Sequence, residues 1–378
     1  MSILGFTWYY VVVFLLVLTV LVFVHEWGHF WVARKNNVRV DVFSIGFGPE
    51  LYGWNDQYGT RWKISAIPLG GYVKMFGEGD EEGDGHTDAE LTEEEKAVSF
   101  HYKTVAQRAA IVAAGPIVNF IFAIFAFAVL AGIIGTAVPL AGTGKVLPGS
   151  AAEEAGILAG DKILSINDEK IKYFDDLRRI VAASPEQKLT FLIRRGDEEK
   201  TLVATPKAKF QKAENGTEEK IGLLGVEGDP QYVELERQGP ISSIWVGIQR
   251  TYFVSASILS YVGDMISGNR GTDELGGPLR IAQITGQMAQ LGIDNVIFIM
   301  AMLSVNLGLI NLFPIPMLDG GHLVFFAIEA LLGRPLGAKA QEYGFRFGLI
   351  LVMMLVVFVT WNDLVHLEVI QFFKDLIT

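Results

Sequence analysis

Long apolar runs alternate with polar, turn-rich stretches along the 378 residues of this chain. The first run has no charged residue over 6–24 and keeps an apolar helical pattern to Arg34. Further apolar runs cover 109–140, 296–313 and 348–361. A helix of about 20 apolar residues crosses a bilayer core of about 30 Å. The pattern therefore predicts a polytopic α-helical membrane protein with four transmembrane helices.

Basic residues mark one end of three of these runs. They are Arg34, Lys35 and Arg39 after the first run, Lys103 and Arg108 before the second, and Arg334, Lys339 and Arg346 before the fourth. Lysine and arginine concentrate on the cytoplasmic side of a membrane. We therefore expect the first helix to end in the cytoplasm and the second helix to lead outward.

The segment 38–76 has a different pattern, because apolar and polar residues alternate in it between several glycines. This alternation predicts strands and hairpins that associate with the membrane. An exposed strand edge can pair with an extended guest segment, so such an edge could hold a substrate. A small structural sheet without a substrate role is the alternative.

The segment 142–207 combines mixed charge, short strand patterns and a helical pattern at 173–183. It predicts one β-rich domain outside the membrane, and 207–220 is predicted to be a polar linker or loop. The stretch 239–268 has an apolar stripe interrupted by Arg250 and Asp264, as in an interfacial helix or a fifth span. Parity favours the interfacial helix, since a fifth crossing would put the end of the next helix on the wrong side.

These patterns divide the chain into consecutive segments. They are 1–37, the first transmembrane helix; 38–76, the membrane-associated β region; 77–102, an acidic cytoplasmic loop; 103–141, the second transmembrane helix; 142–207, the external domain; 208–294, an external linker with the interfacial helix; 295–333, the third transmembrane helix and the residues after it; and 334–378, the fourth transmembrane helix with its tail.

Composition narrows the class of protein. Apolar residues make up 51% of the chain and charged residues 19%, as expected of a membrane protein. The net charge is −11, which gives no support for binding nucleic acid. The absence of cysteine excludes disulfides and thiolate metal sites. The first apolar run lacks a basic start and a small-residue cleavage site, so we interpret it as a retained span.

An H-E-x-x-H pattern lies at the end of the first apolar run. His25 and His29 are four residues apart, so a helix would direct both imidazoles at one zinc ion. Glu26 would lie beside the metal and could take a proton from water as the catalytic base. The alternative is a pair of helix-face histidines without metal, but ionisable residues are costly beside an apolar span.

Asp319 is the predicted third zinc ligand. It follows the third apolar run, whose end should lie on the same side of the membrane as the end of the first. A carboxylate there needs a metal or a charged partner. Pro314 and Pro316 break the helix before it, and the freed backbone is a predicted substrate site, with Asn311 as a hydrogen-bonding group.

Two other polar residues keep alternative interpretations. Asn119, within the second span, could face the site, where we assign it to substrate binding, or could join two helices. His322 could support the metal ligands or cap the next helix.

These motifs resemble the site-2 protease family of intramembrane zinc metalloproteases, and most closely the bacterial regulator of sigma-E protease group. His25-Glu26-Trp27-Gly28-His29 matches the family's zinc motif, and Leu318-Asp319-Gly320 matches its third-ligand motif. Residues 43–49 and 67–74 resemble its membrane-associated strands and hairpin, and 114–120 and 311–316 are also similar to its segments. The resemblance covers nearly the whole chain in the right order.

The resemblance implies a zinc metalloendopeptidase of the bacterial inner membrane. Its implied partners are the lipid bilayer and single-span membrane proteins, such as anti-sigma factors already trimmed by another protease. It implies that Gly70, Gly71 and Tyr72, in the hairpin, pair with substrate. The domain at 142–207 would be a periplasmic PDZ domain that filters substrates by size. Enterobacterial relatives carry two such domains, whereas the space here fits one.

Two other functions would use the same motif. A metalloprotease with a soluble catalytic domain would need an acidic ligand from a cytoplasmic helix, and the acidic loop lacks an apolar helical face. A PDZ-bearing membrane scaffold would hold a structural metal. Such a closed site usually has four protein ligands, and the chain offers poor candidates for a fourth.

Overall fold

The computed structural model describes residues 3–77, 91–212, 218–271 and 276–366. The chain forms two compact units. Unit 1 contains Met1–Leu130 and Pro240–Thr378, and unit 2 contains Ala131–Gly239. Residues 78–90, half of the acidic loop predicted at 77–102, and the C-terminal tail after residue 366 lie outside the described residues.

Helices dominate unit 1 and strands dominate unit 2. The helices are α1 (Ile3–Lys35), α2 (Glu93–Val98), α3 (Val105–Ile133), α4 (Ala151–Glu154), α5 (Phe174–Ala182), α6 (Pro240–Ile266), α7 (Pro278–Gln290), α8 (Ile293–Leu312), α9 (Asp319–Leu332) and α10 (Ala338–His366). The strands are β1 (Val40–Asn55), β2 (Arg61–Met75), β3 (Thr136–Pro139), β4 (Thr143–Val146), β5 (Lys162–Ile166), β6 (Glu169–Lys170), β7 (Leu189–Arg195), β8 (Glu198–Ala204), β9 (Lys207–Lys212), β10 (Glu218–Leu223), β11 (Val226–Gly228) and β12 (Val233–Glu236).

Among the described residues, four helices are long and apolar enough to cross a membrane, as predicted. They comprise Trp8–Lys35, Val105–Ile133, Ile293–Leu312 and Lys339–Val365. The predicted bounds of two were wrong. α3 ends at Ile133 although the apolar run continues to 140, because residues after it pair as β3 with β12. α10 begins at Ala338, well before the apolar run at 348.

The predicted β region forms one antiparallel sheet from β1 and β2. Both strands bend, and their stretches lie in the order 71–75, 40–45, 61–65 and 50–55 across the sheet. Phe43 of the sheet is fully buried, with its ring 5.7 Å from Phe23 and 5.5 Å from Phe30 of α1. This packing attaches the sheet to α1, and 71–75 remains an edge within the described residues.

Unit 2 is built on an antiparallel sheet in the order β6-β5-β7-β8. α5 covers it with Leu177 and Val181, which join a core with Phe191 and Ile193 of β7. The predicted helix at 173–183 and the strands at 188–194 and 199–204 are confirmed within one or two residues. The unit therefore has a hydrophobic core of its own.

The prediction of a polar linker or loop at 207–220 was wrong for its described residues, since β9 and β10 pair as antiparallel strands. Lys212 lies opposite Glu218, and Lys220 lies opposite Phe210. Six of the twelve residues of β9 and β10 are charged and only Ile221 is β-branched, so their local sequence does not predict strands. Cross-strand pairing stabilises them, and it is not visible in local sequence.

The ambiguous stretch at 239–268 forms one continuous helix, α6, which is not among the four candidate spans. Its buried residues are Ser243, Gly247 and Thr251, and a Cβ at Gly247 would lie 2.3 Å from the carbonyl oxygen of Ile124 in α3. Small residues at four-residue spacing permit this approach. The interfacial location of α6 stays a prediction.

α7 was not predicted, and its N-terminus is capped by a carboxylate that is distant in sequence. Asp363, near the end of α10, is 1% exposed and accepts hydrogen bonds from the backbone N–H groups of Gly277, Leu279 and Arg280 at 2.8, 3.0 and 3.1 Å. These are N–H groups that a helix start leaves unpaired. The aspartate thereby fixes α7 to α10.

A buried ion pair joins α3 to α9. Arg108 Nη2 lies 2.6 Å from Glu329 Oε1, and the two side chains are 11% and 13% exposed. Arg108 Nε also donates to the carbonyl oxygen of Lys103, at 3.2 Å. Since α9 begins at Asp319, this pair helps to hold the helix that carries a predicted metal ligand.

Replacing Arg108 with methionine should destabilise unit 1, because it leaves the Glu329 carboxylate buried without its cation. Removing one partner of a buried pair costs about 3–5 kcal/mol. Thermal unfolding of the purified protein in detergent micelles would show a lower midpoint. The double variant Arg108→Met/Glu329→Met should recover most of the loss. An unchanged midpoint for the single variant would contradict this role.

Candidate metal centre

α1 carries two histidines and a glutamate near its C-terminal end. His25 and His29 are one helical turn apart on the same face, and their Nε2 atoms are 3.2 Å apart. They are 8% and 7% exposed. Glu26 is adjacent in sequence and half-buried. The helix therefore presents two nitrogen ligands and a carboxylate together.

The chain unwinds between α8 and α9, where the third predicted ligand lies. α8 ends at Leu312, and the backbone then turns through Pro314 and Pro316. Met317 has φ +94°, outside the region that side-chain-bearing residues favour. α9 begins with Asp319 itself. The break thus places the Asp319 carboxylate at the start of α9.

Two glycines let α9 begin against the end of α8. A Cβ on Gly320 would lie 2.3 Å from the carbonyl oxygen of Phe313, and one on Gly321 would lie 2.4 Å from that of Ile315. No side chain fits at such distances. The close turn therefore requires glycine at both positions that follow Asp319.

The three predicted ligands converge in space. Asp319 Oδ2 lies 3.2 Å from His25 Nε2 and 3.6 Å from His29 Nε2. Two atoms bound to one tetrahedral zinc ion at about 2.0–2.1 Å are about 3.3–3.4 Å apart. The three distances are close to this value, so the donor set fits zinc with a fourth position left for water or substrate.

The surroundings of Asp319 also favour a bound cation. Its Oδ2 atom is buried and has no well-aligned hydrogen-bond donor in the described structure. Burial acts to raise the pKa of Asp319, but contacts with His25 and His29 outweigh it and hold the pKa below its ordinary value. A buried, deprotonated carboxylate needs a cation or donors. Zinc would satisfy it.

Each histidine meets α3 through its other ring nitrogen. His29 Nδ1 lies 2.9 Å from the carbonyl oxygen of Ile111, and His25 Nδ1 lies 3.0 Å from Nδ2 of Asn119. Such contacts orient metal-binding imidazoles. Asn119 is fully buried. The structure places it against His25, and its predicted substrate-binding role stays a prediction.

α3 approaches this face of α1 through glycine. A Cβ on Gly115 would lie 2.2 Å from His29 Nε2 and 2.8 Å from His25 Cε1, and a Cβ on Gly28 would lie 2.5 Å from the carbonyl oxygen of Ala114. Sequence reasoning did not assign Gly115 to the site. Its signal was a glycine within an apolar helix, directly before Pro116.

The edge stretch 71–75 passes beside Glu26. A Cβ on Gly71 would lie 3.5 Å from Cγ of Glu26 and 3.0 Å from Cγ1 of Val22. The backbone of Val73 lies near the Glu26 carboxylate. The structure thus brings the sheet edge and the predicted base together.

The neighbouring hairpin residues are held by aromatic contacts. Gly70 has φ +123°, and a Cβ there would meet the Phe47 ring at 2.5 Å. Tyr72 stacks on Phe47 with ring centroids 5.9 Å apart, and Lys63 lies 5.0 Å from the Tyr72 ring centroid. The hairpin turn is therefore fixed next to the edge stretch, and the predicted substrate contacts of Gly70, Gly71 and Tyr72 stay predictions.

Two predicted substrate residues lie at the break after α8. Asn311 is half-buried in the last turn of α8, and no group in the described parts of the chain hydrogen-bonds to its side-chain amide. Pro314 is exposed in the loop that follows. Both remain predictions, with positions that leave them accessible.

His322 packs against aromatic rings, and its two alternatives, supporting the metal ligands or capping the next helix, stay predictions. Its ring lies against Phe345 and Phe326, at centroid distances of 5.2 and 6.4 Å, in a crevice of about 320 Å³ that Met317 and Leu349 also line. Burial lowers its pKa, which favours the neutral ring. It belongs to the packing around the break.

Comparison with known proteins identifies relatives that match most of the chain and are named as peptidases, proteases or metalloproteases. The model of peptidase family M50 matches residues 13–355. A protein of Agrobacterium fabrum named as a zinc metalloprotease is 45% identical over 95% of this chain and 97% of its own length. Metalloprotease MmpA of Caulobacter vibrioides is 35% identical over 96% of this chain and 97% of its own. Regulator of sigma-E protease RseP of Salmonella typhimurium is 32% identical over 93% of this chain and 97% of its own.

Replacing Gly115 with alanine should weaken zinc binding, because the new Cβ would displace the His29 and His25 imidazoles. We expect a loss of affinity of at least about tenfold, the lower end for disturbing the groups around metal ligands. Zinc retained by the purified protein in competition with a chelator would measure it. Gly263→Ala is the matched control, since a Cβ there meets nothing within 4 Å. Equal zinc retention in both variants would contradict the close approach of α3.

Proposed function

Since this chain belongs to peptidase family M50, the site-2 protease family of intramembrane zinc metalloproteases, we propose that it hydrolyses peptide bonds within the membrane-spanning segments of single-span membrane proteins. Its zinc ligands would be His25, His29 and Asp319, and Glu26 would be the catalytic base.

One observation carries this proposal. The atoms of His25, His29 and Asp319 that could bind one ion lie within 4.8 Å of one another, inside a unit of apolar helices, and Glu26 is adjacent to them. Ionisable residues at such a place are costly without a function. Three protein ligands leave an open position, as hydrolytic zinc sites require.

Zinc, when bound, supplies Lewis acidity that makes water more acidic and polarises the scissile carbonyl group. Glu26 takes a proton from the attacking water and transfers it to the leaving amine nitrogen. His25, His29 and Asp319 hold their ligand atoms in one fixed arrangement. The surrounding apolar helices exclude bulk water from these charges.

A transmembrane substrate must unwind before it is cut, because its peptide bonds are shielded in the helix. Gly71, Tyr72 and Val73 of the edge stretch can pair with an extended substrate, since no strand of the described residues lies on their outer side. The contact of this stretch with Glu26 would place the paired peptide beside the base. Gly70, Gly71 and Tyr72 would form this substrate-binding edge.

The break after α8 would hold the substrate from another side. The Asn311 amide can hydrogen-bond an unwound backbone, and exposed Pro314 can contact its side chains. Freed backbone within a membrane is tolerated where it lines protein or a cavity. This supports the break as a substrate site.

We further propose that unit 2 is a single PDZ domain in the periplasm that filters substrates by size. Its support is the sheet β6-β5-β7-β8 with α5 packed on it, and its place after the second predicted span. The basic residues at the span ends support an inner-membrane protein with the metal centre near the cytoplasmic side.

The natural substrates would be membrane proteins already trimmed by another protease, including anti-sigma factors. The name of the Salmonella typhimurium relative, a regulator of sigma-E protease, supports this class of substrate. A size filter outside the membrane would explain why a first cut is needed.

The deciding experiment compares wild type with Glu26→Gln on a single-span substrate in liposomes, with bound zinc quantified in both. Loss of the base should lower the cleavage rate at least about 100-fold while zinc binding persists. Glu94→Gln, which changes an exposed glutamate on α2, is the control and should cleave normally. Equal cleavage by Glu26→Gln and wild type would overturn the proposed mechanism.

A further inference from the structure

Asn119 is a polar residue in the middle of an apolar span, and its whole surface is buried. Its amide nitrogen lies 3.0 Å from Nδ1 of His25, while its Oδ1 atom is buried without a hydrogen-bond partner in the described structure. A buried amide with one unpaired end is destabilising. Its contact with a predicted metal ligand suggests what it does.

The chemistry of the histidine decides how the amide must face. A neutral imidazole that binds metal through Nε2 carries its proton on Nδ1, so Nδ1 must donate a hydrogen bond. An amide nitrogen cannot accept it. Turning the Asn119 amide by half a rotation exchanges Oδ1 and Nδ2 in place, and Oδ1 then accepts from His25 Nδ1–H.

We propose that Asn119 is a positioning residue for the zinc site: its Oδ1 accepts the Nδ1–H of His25 and thereby fixes the tautomer and orientation that direct Nε2 at the metal. This inference rests on the zinc site proposed above. It assigns Asn119 to the protein's side of the site rather than to substrate.

The two histidines contact different kinds of group on α3, a backbone carbonyl and a side chain. Ile111, Gly115 and Asn119 are four residues apart and share one face of the helix. His29 donates to the backbone carbonyl oxygen of Ile111, which persists through side-chain substitution. His25 depends on the side chain of Asn119. The support of His25 alone can therefore be removed without altering the ligands themselves.

The position of Asn119 is itself fixed from α8. Ser304 is fully buried, and its hydroxyl donates to the backbone carbonyl oxygen of Asn119 at 2.8 Å. This bond holds the backbone and makes no contact with the amide. Ser304→Ala therefore tests helix packing at the same point without removing the acceptor for His25.

The test measures zinc affinity by chelator competition and records the visible spectrum of the cobalt(II)-substituted protein. Asn119→Leu removes the acceptor in a similar volume and should weaken zinc binding about 10- to 100-fold, with a shifted cobalt spectrum. Asn119→Asp restores an acceptor and should bind zinc at least about ten times more tightly than the leucine variant. Ser304→Ala should keep the wild-type spectrum.

Each outcome decides one point. Wild-type affinity and spectrum in Asn119→Leu would overturn the proposal, as would an equal loss in Asn119→Leu and Asn119→Asp. If Asn119→Leu does not fold, Asn119→Ala replaces it, with the same comparison to Asn119→Asp. The zinc site is tested separately by His25→Ala: if that variant binds zinc like wild type, the proposed function fails and not only the role of Asn119.

Discussion

The close approach of α3 to the histidine face of α1 is the constraint on which the metal centre depends. A Cβ at Gly115 would lie inside contact distance of both imidazoles, so only glycine permits this separation. The approach brings the Ile111 carbonyl oxygen and Asn119 to the two Nδ1 atoms. It therefore sets the direction of both Nε2 atoms. A wider spacing would leave two buried imidazoles without partners, and the ligand geometry would be lost.

The predicted third ligand depends on a different feature, a helix broken by proline and restarted by glycine. Pro314 and Pro316 end α8, and Gly320 and Gly321 let α9 begin against the freed carbonyl groups. The turn delivers Asp319 at the depth of the histidines. The same break frees backbone and leaves the Asn311 amide accessible. In the proposed function, one local irregularity thus serves both the metal and the substrate.

Sequence alone predicts the features of this protein that follow local rules. The spans follow from run length, the pairing of His25 with His29 follows from helical periodicity, and Asp319 follows from counting membrane crossings. What escaped prediction depends on contacts between distant residues. Asp363, which is distant in sequence, caps the N-terminus of α7, and β9 and β10 form strands by pairing with each other. The partner of Asn119 also depends on how α3 packs, which its composition does not reveal.

The arrangement around Glu26 separates a catalytic site from a structural one. A structural zinc site closes its coordination with protein ligands, whereas the described residues group three donors and leave one position. The soluble-domain alternative required an acidic ligand from a cytoplasmic helix, yet the carboxylate that meets the histidines is Asp319, at the start of α9 and shortly after a candidate span. The edge of the sheet also lies beside Glu26. An open position, an adjacent carboxylate and a strand edge at one place are what hydrolysis of an extended peptide requires, and a closed metal site in a scaffold requires none of them.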